Sequence, residues 1–285
     1  MTCPDHNLGK MAGERLNLMP EEPDFTNPLF LPMFEIFDKV LQPDSELSVE
    51  DAVAQLVVLL PEGKPYSSEV GDFIGTCVEM ADAIPYTHSS MLKLVSILDL
   101  CLHSERFPEK VGSANIQTDS TLRSCKVAET MRHFWDGTDE EFPALLALLI
   151  PDSRPGTCPE DGPAKYVNFN TFAARIHQRG LLKGVILAIS TLEDAFQRKL
   201  GKSQEQREAY VTAALQYLLL NGDIIYEDIR NDERWKHSWS CWRNEVARLA
   251  ARNRNDKRCL WSQEIVEMAG RALTAMEGIE RLKAG

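Results

Sequence analysis

A chain of 285 residues is long enough to bury a large core, as one big domain or two intimate ones. Its 44% hydrophobic and 26% charged residues are ordinary for a globular protein, and no apolar run reaches the ~18 residues of a membrane helix. The net charge of −12 argues against nucleic acid as a partner of the whole chain. The polar, proline-rich start lacks the basic-then-apolar pattern of a secretory leader, so the expected location is cytoplasmic. The cysteines Cys3, Cys77, Cys101, Cys125, Cys158, Cys241 and Cys259 are far apart, with no C-x-x-C pair. That pattern disfavours a disulfide framework or a structural zinc site, and Cys77 and Cys101 read as small core residues.

Residues 1–28 contain Pro4, Pro20, Pro23 and Pro28 with little periodicity and read as a flexible arm. A helix beginning near Pro32 follows, with Phe34, Phe37 and Leu41 on one face. Ser48-x-x-Asp51 starts the next, through Val53, Leu56, Val57 and Leu60. Residues 67–84 and 87–102 carry apolar faces at Val70, Phe73, Ile74, Cys77 and Ala81, and at Met91, Leu94, Val95, Leu98 and Leu102. Residues 119–135 and 142–150 complete an N-terminal helical part spanning 29–150. Pro151, Pro155, Gly156, Pro159 and Gly162 mark a linker or long loop, and residues 163–285 form a C-terminal helical part packed on the first within one structural domain.

That second part opens on Lys165–Gly180, where Phe169, Phe172, Ala173 and Ile176 share a helix face. Asn168 or Asn170 either caps this helix or turns its amide into a pocket, and Gly180 stands where a left-handed residue would end it. A helix follows over 181–200, with Val185, Ile189, Leu192 and Phe196 in register. Ser203-x-x-Gln206 is a capping box opening a long helix to about Ile229. Its apolar residues wrap nearly all the way round, as expected of the buried central helix of this part. Two further helices, over about 235–253 and 260–282, close the chain. The expected class is all-α, roughly ten or eleven helices in a bundle or irregular array, with short connections favouring antiparallel neighbours.

Phosphate-loop, dinucleotide-binding, G-x-S-x-G and H-E-x-x-H motifs are missing from the sequence. Three patterns remain. The first is acidic: Asp223 and Glu227 lie four apart, as do Asp228 and Asp232 if the helix continues, and carboxylates one turn apart can share a magnesium ion. Glu227–Asp232 resembles the aspartate-rich motif of class I terpene cyclases, and Asn255–Gln263 their second magnesium motif. Arg230, Asn231, Cys259 and Gln263 depart from those motifs, and the two lie only about thirty residues apart, whereas that fold places them on distant helices. The second is a stripe of Trp235, Trp239 and Trp242 beside many arginines, which reads as core or as a platform for a planar or anionic ligand. Residues 230–285 carry 12 basic and 8 acidic side chains, against 19 and 35 over 1–229, so the C-terminal segment is the candidate for anion contact. The third is His133 with Asp136, an acid–base pair or a helix-end histidine.

With these residues in view, the chain resembles a fungal family of uncharacterised all-helical proteins known only as a domain of unknown function. The resemblance rests on Asn168–Ile176, the pair Glu193-Asp194, Gln216-Tyr217 through Asn221-Gly222, and Arg234–Arg243, and covers roughly residues 125–252. Phe169 stands where the family usually has leucine, and the N-terminal half is less regular. The resemblance implies a fungal intracellular protein with no established reaction, of a kind found at times among secondary-metabolite genes. The leading expectation is a protein that binds or transforms a hydrophobic small molecule, without an organic cofactor, in a pocket lined by Asn168, Asn170, Arg175, Tyr217, Trp239 and Trp242. The alternatives are a non-catalytic helical module for a protein partner and a magnesium-dependent cyclase using Asp223, Glu227, Asp228 and Asp232, with Asp228, Asp232 or His133 as catalytic groups.

Overall fold

The computed structural model describes residues 14–19, 28–62, 68–105, 162–182, 185–198, 201–230, 232–235, 237–251 and 261–284. In chain order the helices are α1 Phe30–Val40, α2 Val49–Leu59, α3 Ser68–Ala83, α4 Ser90–Leu102, α5 Pro163–Gln178, α6 Ile186–Phe196, α7 Gln204–Arg230, α8 Ser238–Ala250 and α9 Gln263–Ala284. The protein is all-α: among the described residues there is no strand, and each of the nine helices matches one expected from hydrophobic periodicity. The two others expected, at 119–135 and 142–150, lie outside the described residues, as do His133, Asp136 and residues 151–161 of the linker. No described helix is long and apolar enough to cross a membrane. The chain divides into two compact units, Met1–Pro155 and Gly156–Gly285.

In the first unit α1 packs on α2 and α3, and α4 packs on both α2 and α3. Phe37 and Phe73 stack with ring centres 6.1 Å apart, and Met33, Leu56, Leu94 and Leu98 are fully buried around them. Polar side chains satisfy the end of α1, where the last carbonyls of a helix lack partners. Lys93 Nζ donates to the carbonyls of Val40 (3.0 Å) and Gln42 (2.9 Å), and Ser90 Oγ donates to that of Leu41. Part of the arm is pinned here. Leu16 N–H donates to Gln42 Oε1 at 2.9 Å, Gln42 Nε2 returns a bond to Leu16 O at 3.2 Å, and Leu18 is buried.

The second unit is built around α7, which touches α5, α6, α8 and α9. Its start is written locally: Ser203 Oγ accepts from Gln206 N–H at 3.1 Å, and Gln206 Oε1 accepts from Ser203 N–H at 3.0 Å. The long contacts join alternate helices that run in the same direction. Tyr166 meets Tyr210 edge-on, and eight residues later Ala174 meets Asn221, so α5 and α7 are parallel. Glu208 accepts from Ser262 N–H and Gln216 meets Met268, so α9 is parallel to α7 as well. Direct short connections favour antiparallel pairs. Here α6 and α8 intervene and return the chain, so α5, α7 and α9 share one direction.

Helix α5 begins earlier than its asparagines suggest. Pro163 occupies its first turn and Gly162 the N-cap, so Asn168 and Asn170 are interior residues and neither caps the helix. Proline suits that position because its ring fixes φ and its missing N–H would be unpaired there anyway. The other end follows expectation. Gly180 has φ +75, its N–H donates to His177 O (2.9 Å), and Leu181 N–H donates to Ile176 O (3.0 Å). These are the two bonds of a Schellman motif. Gly180→Ala forces a Cβ into the left-handed region and is expected to cost about 1 kcal/mol, read as a lower thermal midpoint of the full chain. An unchanged midpoint would mean that α5 does not end in this conformation.

Candidate functional site

The central helix of the second unit is broken once. At Asn221 the backbone leaves helical geometry (φ −135, ψ 16) while the side chain is fully buried. Asn221 Nδ2 donates to Ala174 O on α5 at 2.8 Å. The next residue is Gly222, where an added Cβ would lie 3.1 Å from Ile279 Cδ1 on α9 and 3.8 Å from Trp239 Cη2 on α8. Four helices therefore converge on this kink. An Asn-Gly pair inside a long apolar helix is the sequence signal that could have found it.

The six side chains expected to line a pocket all belong to this unit, and the structure divides them. Asn170 is committed within the core: its Nδ2 donates to Tyr166 O at 2.8 Å and its Oδ1 accepts from Thr191 Oγ1 on α6 at 3.2 Å. Trp239 is committed too, its Nε1 donating to Glu280 Oε1 at 2.9 Å while Tyr226 packs edge-on at 5.0 Å. Asn168 and Tyr217 are buried. Arg175 and Trp242 keep polar atoms in reserve. Thr171 Oγ1, Arg175 Nε, Asn221 Oδ1 and Trp242 Nε1 are buried with no hydrogen-bond partner among the described residues. Thr171 and Arg175 are one turn apart on α5, and the Asn221 amide reaches the carbonyl of the residue just before Arg175.

Magnitudes show why this matters. An unpartnered buried donor or acceptor costs about 1–3 kcal/mol, more when charged, and native cores tolerate few. Arg175 sits in the last turn of α5, where the helix dipole favours a cation by only about 0.3–1 kcal/mol. Burial holds its guanidinium below the usual arginine range, and no carboxylate among the described residues pairs with it. The arginines of the C-terminal segment differ. Arg230 pairs with Glu227 (3.3 Å), Arg234 with Asp232 (2.6 Å), Arg243 with Glu280 (2.5 Å) and Arg248 with Glu245 (2.8 Å). The expected anion-contact segment is thus largely self-neutralised where it is described. The expected tryptophan stripe is also shorter, because α8 starts at Ser238 and Trp235 lies in the preceding turn, its N–H donating to Asp232 O at 3.0 Å.

The carboxylates nominated for magnesium do not converge. Helix α7 stops at Arg230, so Asp232 is not one turn beyond Asp228 on a continuous helix. Instead Asp232 accepts from Arg234 N–H at 2.9 Å and pairs with its guanidinium, which lowers its carboxyl below the usual range. Glu227 is taken up by Lys283 and Arg230. Among the described residues no three His, Cys, Asp or Glu side chains are placed to hold one metal ion. Asp223 and Asp228 face a residue that sequence reasoning passed over, the buried His177 near the end of α5. Burial pushes its imidazole down, against the opposing pull of Asp228 and Asp223, while burial raises the Asp228 carboxyl. The signal for His177 was its position seven residues after Asn170, on the same helix face.

The fold and site define an all-α protein whose second unit has a central helix kinked at a buried asparagine. The chain belongs to the family described as protein of unknown function (DUF3632), which matches residues 75–265. No match is found among curated proteins or among solved structures.

Asn221→Asp is nearly isosteric but replaces the donor to Ala174 O by a buried charge. It is expected to cost more than about 3 kcal/mol, against about 1–2 kcal/mol for Asn221→Ala, in chemical unfolding. An aspartate tolerated as well as alanine would show that the bond to α5 is not made. A second expectation concerns pH. The folded state holds His177 below its ordinary value of about 6.5, so the unfolded chain takes up its proton first as pH falls. The stability is fully present above that ordinary value and is lost as pH falls through the folded one. His177→Gln should therefore flatten the fall of the thermal midpoint below about pH 6.5, and a wild-type pH profile in the variant would contradict the burial.

Proposed function

We propose that the second unit binds a mainly apolar small molecule whose few polar groups meet Thr171, Arg175 and Asn221 beside the α7 kink. The observation that carries this reading is the set of buried polar atoms with no hydrogen-bond partner among the described residues, within a mainly apolar helical core. Small-molecule sites have this composition, apolar lining with a few convergent polar groups. The unit's core is mainly apolar, with Phe172, Leu215, Leu218 and Ile225 among its buried side chains. The reading involves no organic cofactor and no magnesium. If the bound molecule is transformed, His177 with Asp228 and Asp223 is the group beside the kink able to move a proton. A cytoplasmic setting in fungal secondary metabolism, which the family resemblance implies, would supply molecules of this kind.

Thr171→Val separates binding from a purely structural role, because it keeps shape and removes the hydroxyl. Native mass spectrometry of the full chain, purified without denaturation, is expected to show a non-covalent adduct of small-molecule mass that this variant lacks. A bare chain mass, together with tryptophan fluorescence unmoved by a panel of apolar compounds, would count against binding.

A further inference from the structure

The geometry points to an oxyanion, most simply a carboxylate, as the polar group recognised at the kink, with Arg175 as its cationic partner and Thr171 as a hydroxyl donor. This inference rests on the proposed small-molecule reading and names the chemistry of its ligand. Three observations converge on it. First, Arg175 presents a buried Nε–H with no acceptor and no carboxylate partner among the described residues. A guanidinium uses that edge, together with a neighbouring terminal nitrogen, to hold both oxygens of a carboxylate. Second, Thr171 Oγ1 is fully buried, lacks a partner among the described residues and lies one turn before Arg175 on the same helix face. Third, other cations of the same unit are engaged elsewhere: Lys283 and Arg230 hold Glu227, and Arg243 holds Glu280.

Arg179 lies one turn beyond Arg175 but is exposed, and a single half-buried guanidinium suits a singly charged group better than a phosphate dianion, which recruits several positive groups. The start of α5 does not help, because Pro163 is 12 residues from Arg175 and the site lies at the end of the helix whose dipole disfavours an anion. The remaining orphan, Asn221 Oδ1, is an acceptor. It calls for a donor next to the carboxylate, as in a hydroxy acid or an ordered water at the edge of the site.

The test follows the Arg175 side chain directly. In nitrogen-15 NMR of the full chain, the Arg175 Nε–Hε signal is identified by its loss in Arg175→Lys, with the exposed Arg271 on α9 as internal reference. Sodium acetate, compared with sodium chloride at equal ionic strength, is expected to shift the Arg175 signal saturably and to leave Arg271 unmoved. Decanoate and 4-phenylbutyrate should do so at lower concentration, and their methyl esters should bind weakly. Arg175→Gln should weaken the acids about 10- to 100-fold and leave the esters unchanged. In the ligand-free chain, Arg175→Met should hold or raise the thermal midpoint, because it removes an uncompensated charge. Three outcomes overturn the inference. If esters bind as well as acids with the Arg175 signal unmoved, the ligand is neutral and the binding reading survives alone. If acetate moves Arg175 but no apolar acid improves on it, the site is an adventitious ion contact only. If Arg175→Met lowers the midpoint by several degrees and no acid or ester moves any signal, Arg175 is structural and both readings fail.

Discussion

A single amide organises the second unit. Helix α7 is 27 residues long and touches every other helix there, and at Asn221 it gives up helical geometry to send a side-chain N–H to Ala174 of α5. The kink falls beside a glycine, where a helix bends readily, and the asparagine side chain there ties α7 to α5. Next to the break stands Gly222, where an added Cβ would crowd Ile279 of α9 and touch Trp239 of α8. The three parallel helices α5, α7 and α9 thus share one junction, and the uncommitted polar atoms lie next to it.

The disposition of polar groups separates packing from recognition within that unit. Asn170 and Trp239 resemble ligand contacts by residue type, yet each has its polar atoms matched inside the fold, one to α6 and the other to Glu280. Their role is to fix helix against helix. Thr171, Arg175 and Asn221 are built into the same elements with atoms left unmatched. A core that wanted only stability would replace such groups by apolar ones of similar shape at little or no cost. Keeping them is the pattern of a site whose preorganised groups are completed by something bound, at the cost of stability in the empty state.

Local signals were read well because their causes are local. The Ser203–Gln206 capping box and the Gly180 stop each involve groups within about five residues, and both are present as expected. The apolar faces translated into buried faces, Phe169, Phe172, Ala173 and Ile176 among them, because helical period and burial are coupled by geometry. Errors arose where two local signals competed. Asparagine is a strong N-cap, but Pro163 with Gly162 starts α5 earlier, so of the two roles open to Asn168 and Asn170 the cap is excluded. The Asp228–Asp232 pairing required α7 to run on past Arg230, and the tryptophan stripe required α8 to begin at Trp235, whereas the chain turns between Arg230 and Ser238 and Arg234 engages Asp232.

The amino-acid sequence by itself determined the all-α class, the succession of helices, most of their ends and the identity of α7 as the buried axis. All of these follow from periodicity, capping chemistry and propensity acting over a few residues. The tertiary structure decided which polar side chains are free to act. Ala174 and Asn221 are separated by 47 positions, and Trp239 and Glu280 by 41, so no spacing rule could pair them. Whether a buried asparagine or tryptophan, or a half-buried arginine, is satisfied depends on which carbonyl or carboxylate the packing of distant helices brings to it. For Arg175 that packing brings none among the described residues.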